Sequence, residues 1–182
     1  MRKKVHLPLD AETIASLHAG DAVLLSGTLY TARDAAHKKL CEMIAKGEPL
    51  PFDLVNSTIY YVGPTPAKPG MAIGSAGPTT SSRMDVYTPE LLHLGLKGML
   101  GKGKRSVEVK QAIMAEKAVY FVACGGAGAL ISHCIKKREP VAFAELLSEA
   151  ITKLTVEDLP CFVGIDAYGS DIYEIDGDKV DE

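Results

Sequence analysis

The chain has 182 residues, 47% of them hydrophobic and 24% charged, with a net charge of −3 and a pI near 6.0. That length suits one domain with a core of its own, and the acidic balance offers no basic field to nucleic acid. Polar residues or glycine interrupt every apolar run well short of about 18 residues, so no membrane-spanning helix is expected.

The opening Met1-Arg2-Lys3-Lys4-Val5-His6-Leu7-Pro8-Leu9-Asp10 is basic but lacks the apolar stretch of a signal peptide, and a cytoplasmic location is expected. Residues 10–19 read as a short helix, capped by Asp10 and ended by Gly20. A strand follows from Asp21 to Leu25 and continues through Gly27–Thr31. It leads into a helix from about Arg33 to Ala45, with Ala36, Leu40, Met43 and Ile44 at helical spacing and Gly47 after its end. Glu48–Asp53 carries two prolines and reads as a stiff loop. Ser57–Val62 is a β-branched and aromatic strand. Beyond a Pro/Gly-rich turn region, Met71–Ser75 is expected to be another short strand.

Pro89–His93 reads as a helix with proline in its first turn. A short strand at Gly98–Leu100 leads into a Gly/Lys loop, then a helix over Ser106–Lys117. Ala118–Ala123 is a buried strand halted by Gly125-Gly126, and Ala127–Ile135 is helical. A further amphipathic helix is expected over residues 143–153, a short strand over Leu154–Glu157, and a core strand over Cys161–Asp166. The acidic tail is expected to be loose at its end. Strands and helices alternate, with Gly-rich strand-to-helix junctions. This argues for an α/β fold in one domain over residues 1–182, with ligands at the C-terminal ends of the strands.

The most informative run is Gly77-Pro78-Thr79-Thr80-Ser81-Ser82-Arg83-Met84-Asp85. A Gly-Pro turn, four hydroxyls, a guanidinium and a carboxylate follow an apolar segment. Thr79 or Thr80 can cap a helix whose first N–H groups seat an anion, or can do no more than cap it. Arg83 offers the planar fork that suits a carboxylate or phosphate, or it pairs with Asp85 or Glu90 at the surface. Arg33 lies at a second strand-to-helix junction, so two guanidiniums can grip a dicarboxylate. His37, four residues on, is either a proton shuttle or a structural hydrogen-bonder. Lys102, Lys104 and Arg105 sit in Gly101–Ser106, an exposed basic turn or an anion contact, without the pattern of a P-loop. Gly125–Ala129 reads as a tight turn. Cys41, Cys124, Cys134 and Cys161 are separated by 83, 10 and 27 residues, which fits no zinc or iron–sulfur spacing. All four read as structural thiols, and no metal ligands are assigned to this chain.

G-P-T-T-S-S-R-M-D resembles the signature of the class I, iron–sulfur-dependent fumarases and their tartrate dehydratase relatives. The other landmarks fall in the family's order: Gly27-Thr28, Ala32-Arg33-Asp34-Ala35-Ala36-His37, Lys102-Gly103-Lys104-Arg105-Ser106, and Gly125-Gly126. The likeness covers roughly residues 5–175. It implies a β subunit, equivalent to the C-terminal domain of the long form, folded as a swivelling β/β/α domain. It also implies a cluster-binding α subunit that holds a [4Fe–4S] cluster, an α2β2 assembly, and no activity in either part alone.

By resemblance, Arg33, Arg83 and Lys102 hold substrate carboxylates, Thr79 takes part in proton transfer, and Thr80 orients the turn or donates one hydrogen bond. The stretch between Arg83 and Lys102 is one residue shorter than in long-form fumarases, which leaves Lys104 as a competitor to Lys102. The implied reaction is reversible hydration of fumarate to L-malate. A tartrate dehydratase β subunit and a non-catalytic domain that binds a small organic anion are the alternative readings.

Overall fold

The computed structural model of the chain describes residues 1–123 and 126–175. Cys124, Gly125 and the acidic tail beyond residue 175, on which the sequence reading also placed expectations, lie outside the described residues. Along the chain run β1 (Lys3–His6), α1 (Ala11–Ser16), β2 (Ala22–Thr31), α2 (Asp34–Ala45), β3 (Thr58–Tyr60), α3 (Thr88–His93) and β4 (Gly98–Gly101). They are followed by α4 (Val107–Glu116), β5 (Val119–Val122), α5 (Gly128–Cys134), β6 (Ile135–Ala142), β7 (Ile151–Ile165) and α6 (Ile172–Ile175). The fold is mixed α/β.

The sheet order is β1-β2-β3-β4-β5-β7-β6, with a further pairing of β2 to β7. β2, β3, β4 and β5 run parallel. The 15-residue β7 runs antiparallel to β5 and to β2. The ladder therefore closes on itself as β2-β3-β4-β5-β7, with β1 and β6 as flanking strands. Closure satisfies backbone groups that an open edge would expose. It also places the C-terminal ends of four parallel strands around a common rim.

Strand alternation sorts the core into two clusters. Tyr60, Leu100, Phe121, Leu154 and Val163 belong to one, with Leu9, Leu17 and Ile131. Ile59, Tyr61, Met99, Tyr120 and Ile165 belong to the other, under Leu40 of α2, Leu91 and Leu92 of α3, and Val109 and Ile113 of α4. The Asp10 cap read from the sequence is present, accepting from the Thr13 N–H at 2.7 Å, and Ser106, expected inside a helix, caps α4 by accepting from the Val109 N–H at 3.2 Å.

Three expectations need correction. Met71–Ser75 is no strand but an irregular segment. It is pinned to the preceding turn by the Thr65 N–H on the Ser75 carbonyl (3.0 Å) and the Ser75 N–H on Thr65 Oγ1 (2.8 Å). Residues 143–153 are not a helix. Phe143 and Leu147 take φ of 58° and 54°, the 3₁₀ turns over Ala144–Glu149 are kinked at Leu147, and Ile151 already opens β7. Finally, Leu154–Glu157 and Cys161–Ile165 are parts of that one long strand, and β6 beside it starts at Ile135, expected as the end of a helix, and runs through residues for which no element is expected.

Candidate functional site

Every residue singled out for anion chemistry lies just beyond the C-terminal end of a parallel strand. Arg33 and Asp34 follow β2, and the Ala32 N–H continues the ladder onto the Tyr60 carbonyl at 3.1 Å. The Gly77–Asp85 run is threaded between β3 and β4. The Thr79 N–H donates to the Tyr61 carbonyl (2.7 Å), the Ser81 N–H donates to the Lys102 carbonyl (2.9 Å), and Thr80 pairs with Lys102 in a single parallel bridge.

These bonds correct the idea of an anion seat made from free helix-start N–H groups. Only a four-residue 3₁₀ turn, Ser81–Met84, follows, and the Thr80 side chain makes no capping bond. The N–H groups of Thr79 and Ser81 are spent on the ladder, so anion binding here falls to side chains. Thr79 and Lys102 are half-buried, while Thr80, Arg83 and Lys104 are exposed. Lys102 has its backbone fixed by the bridge, whereas Lys104 lies beyond Gly103, which takes a φ of +85°.

Arg83 pairs with neither Asp85 nor Glu90 but with the carboxylate of Asp34. That contact ties the Thr-rich run to the start of α2. The Arg33 side chain passes across Gly63, where a Cβ would collide with its Nη1, Cδ and Cζ. Arg33 Nε and Asp34 Oδ1 are buried without a hydrogen-bond partner among the described residues.

His37 is fully buried. Its Nδ1 lies 2.8 Å from the Arg33 carbonyl, which can only accept, so Nδ1 carries the proton. Burial pushes its pKa down to about 4, with the nearby Arg105 charge acting the same way against the opposing Arg33 carbonyl and Asp34. The ring is thus neutral at physiological pH, with Nε2 unpartnered.

Arg105 is the residue that the sequence reading undervalued. Grouped there with the loop lysines, it has a side chain with no exposed surface. Its Nε donates to Asp85 Oδ1 at 2.7 Å, and Nη2 donates to Thr88 Oγ1 at 2.9 Å and to the Tyr61 hydroxyl at 3.2 Å. Its guanidinium lies over the rings of Tyr61 and Tyr120, 5.2 and 4.8 Å from their centres. Asp85 Oδ2 accepts from the Ser106 N–H at 2.7 Å. The Tyr120 hydroxyl lies 2.8 Å from both Ser81 Oγ and the Gly103 carbonyl. The signal available in the sequence was Asp85 itself, a carboxylate set among hydroxyls with a capping Ser106 following an arginine.

Among the described residues, no three His, Cys, Asp or Glu side chains lie together in a way that could hold a metal ion. Cys161 is buried, and Cys41 and Cys134 are partly buried; all three are free thiols. Burial, with Glu90 beside it, raises the Cys41 pKa to about 12, and burial likewise raises that of Cys161. Among the described residues, no set of cysteines is gathered that could hold an iron–sulfur cluster. No helix among the described residues is long and apolar enough to cross a membrane.

The domain is a closed mixed α/β ladder that carries two arginines, a lysine and paired threonines at one strand rim. Residues 1–175 match the family model described as "Fumarase C-terminus", and the chain belongs to that family. It is 41% identical to fumarate hydratase 2 of Leishmania major over 170 residues, which are 91% of this chain and 30% of that protein. It is 42% identical to the anaerobic class I fumarate hydratase of Escherichia coli K12 over 152 residues, 82% of this chain and 28% of that protein. A protein of Methanocaldococcus jannaschii, provisionally named L(+)-tartrate dehydratase subunit beta, is 38% identical over 180 residues, 96% of this chain and 92% of that protein. The chain thus spans about a third or less of the fumarate hydratases it matches, but nearly all of the tartrate dehydratase subunit.

Proposed function

We propose that this chain is the β subunit of a two-subunit hydro-lyase that hydrates fumarate reversibly to L-malate. The observation that carries the reading is the gathering of Arg33, Thr79, Thr80, Arg83 and Lys102 on one rim, in a chain that belongs to the fumarase C-terminal family. Arg33, Arg83 and Lys102 hold the two carboxylates. Binding by Arg83 requires the substrate to displace or share Asp34, a like-charge competition that favours a doubly charged ligand. Thr79 handles the proton, helped by the local positive field, since a neutral hydroxyl is a weak base. The same cations stabilise the charge that develops on a substrate carboxylate when the adjacent carbon loses its proton.

The [4Fe–4S] cluster, which in this reaction class supplies Lewis acidity, is assigned to a cluster-binding α subunit. The tasks of this chain are binding, orientation and proton handling. Closing the domain over the partner by a swivelling motion would exclude water, and an α2β2 assembly suits the reading.

The test is co-expression with a cluster-binding partner, anaerobic reconstitution, and assays with fumarate, L-malate and L-tartrate. Activity only in the complex, on fumarate and malate, is expected; activity from this chain alone overturns the subunit reading. Turnover of tartrate instead would favour the second reading, prompted by the archaeal relative matched over nearly its full length. Arg83→Ala is expected to raise KM and lower kcat in the complex. Thr79→Val should cut kcat by about 100-fold or more, in the range of lost acid–base catalysis, without loss of folding.

A further inference from the structure

We infer that the buried Asp85–Arg105 pair is a positioning device, holding the segment of Thr79, Thr80 and Arg83 in register with the loop that carries Lys102. The inference rests on the dicarboxylate reading above and names residues that set its geometry. Asp85 stands two residues beyond Arg83, and Arg105 three beyond Lys102, so the pair joins the two substrate-facing segments just behind their cations.

Both carboxylate oxygens are used, one on Arg105 Nε and the other on the Ser106 N–H, each at 2.7 Å. Three further N–H groups of the guanidinium are directed at Thr88, the Tyr61 hydroxyl and Met99 Sδ (3.7 Å). Two further ties act between the same segments: the Thr80–Lys102 bridge with the Ser81 N–H on the Lys102 carbonyl, and the Tyr120 hydroxyl between Ser81 Oγ and the Gly103 carbonyl.

A guanidinium with no exposed surface is costly to bury unless every donor is answered. Apolar side chains of similar volume often stabilise such a place as well or better, so an ion pair bonded at every guanidinium nitrogen is better explained by register than by stability. Sliding one segment past the other by a residue would strand both charges without partners. The separation between the Arg83 and Lys102 cations is therefore held at one value, as recognition of two carboxylates on a rigid substrate requires.

The experiment is a double-mutant cycle in the assembled complex, with a second readout on the full chain. Asp85→Asn is expected to lower kcat/KM for fumarate at least tenfold in an otherwise unchanged protein, and less than threefold in a Lys102→Ala background. Equal factors in the two backgrounds overturn the proposal, because a merely structural pair would weaken both alike. Arg105→Lys should retain more activity than Arg105→Gln, and it is the variant to read if Asp85→Asn does not fold.

Independently of turnover, amide hydrogen exchange at Ser81 reports the register, since that N–H bonds Lys102 and not Asp85. Its exchange should accelerate at least tenfold in Asp85→Asn or Arg105→Gln and less in Arg105→Lys, and unchanged protection in the first two overturns the proposal whatever the kinetics. Failure of the hydro-lyase reading shows separately, as wild-type turnover in Arg83→Ala and Lys102→Ala.

Discussion

Gly63 lies two residues beyond Tyr61, and its missing Cβ is the space that Arg33 occupies. A methyl group there would meet Nη1, Cδ and Cζ of the arginine. What must move is the far end of a flexible side chain rather than backbone, so Gly63→Ala displaces the guanidinium while sparing the fold. In the assembled complex the expected outcome is a KM for fumarate raised about tenfold, the loss of roughly one charge-assisted hydrogen bond, with a melting temperature within about 3 °C of wild type, equivalent to 1 kcal/mol or less. Steady-state kinetics and thermal unfolding of one preparation decide it; an unchanged KM would remove Arg33 from the substrate's reach. At this scale the sequence was legible for residues whose chemistry is local. Arg33, Thr79, Thr80, Arg83 and Lys102 stood out through runs of telling composition and the family resemblance, and the structure brings Thr80 beside Lys102 and Arg83 beside the start of α2. Asp34 as the partner of Arg83 and Asp85 as that of Arg105 did not, because those pairs are made across 49 and 20 residues of chain.

The elements read well where helical spacing was sustained, as in α2 and α4, and failed where pairing overrode local preference. Residues 143–153 carry the spacing of an amphipathic helix, yet from Ile151 onward the backbone is claimed by β6, which precedes it, and by β2, which lies far away in sequence. β6 was illegible for a different reason: Lys136, Lys137, Arg138 and Pro140 are the residues that keep an edge strand from pairing further, and such a strand looks like a loop. The transition between β6 and β7 is strained. Leu147 holds a φ of 54° and ψ of −113° while 79% exposed, so little burial offsets the conformation. Such strain costs about 1–3 kcal/mol, and glycine relieves it at about 0.5–1 kcal/mol of added chain entropy. Leu147→Gly is accordingly expected to stabilise the protein by about 1 kcal/mol, or roughly 2–4 °C in melting temperature. A lower melting temperature would mean that the leucine side chain makes a contact outweighing its backbone.

Global stability should carry the mark of one buried base. His37 is covered on every side where α2 meets the second core cluster, its ring 5.4 Å from that of Tyr61 and 6.0 Å from that of Tyr87. The native state keeps it neutral down to about pH 4 because burial opposes its charge, with Arg105 adding to the effect. In the unfolded chain the same imidazole titrates near 6.5. Between those values the unfolded state binds a proton that the native state refuses, so stability is full above about pH 6.5 and falls as the pH drops toward 4. The steepest slope is about 1.4 kcal/mol per pH unit. Asp10 and Glu145 are held below their ordinary values by hydrogen bonds to Thr13 and to Lys39. For Asp21 burial is the largest single effect and raises the value, but the hydrogen bonds from Lys3 and the His18 N–H, with the Lys3 and His18 charges, together exceed it. All three groups lose stability only at lower pH. His37→Asn removes the titration while leaving an amide able to reach the Arg33 carbonyl. The variant should start less stable near neutral pH, having lost ring packing. Its urea midpoint should then decline less than that of the wild type between about pH 7 and 4.5, the range in which histidine titrates. Parallel declines for the two proteins would place the acid sensitivity elsewhere.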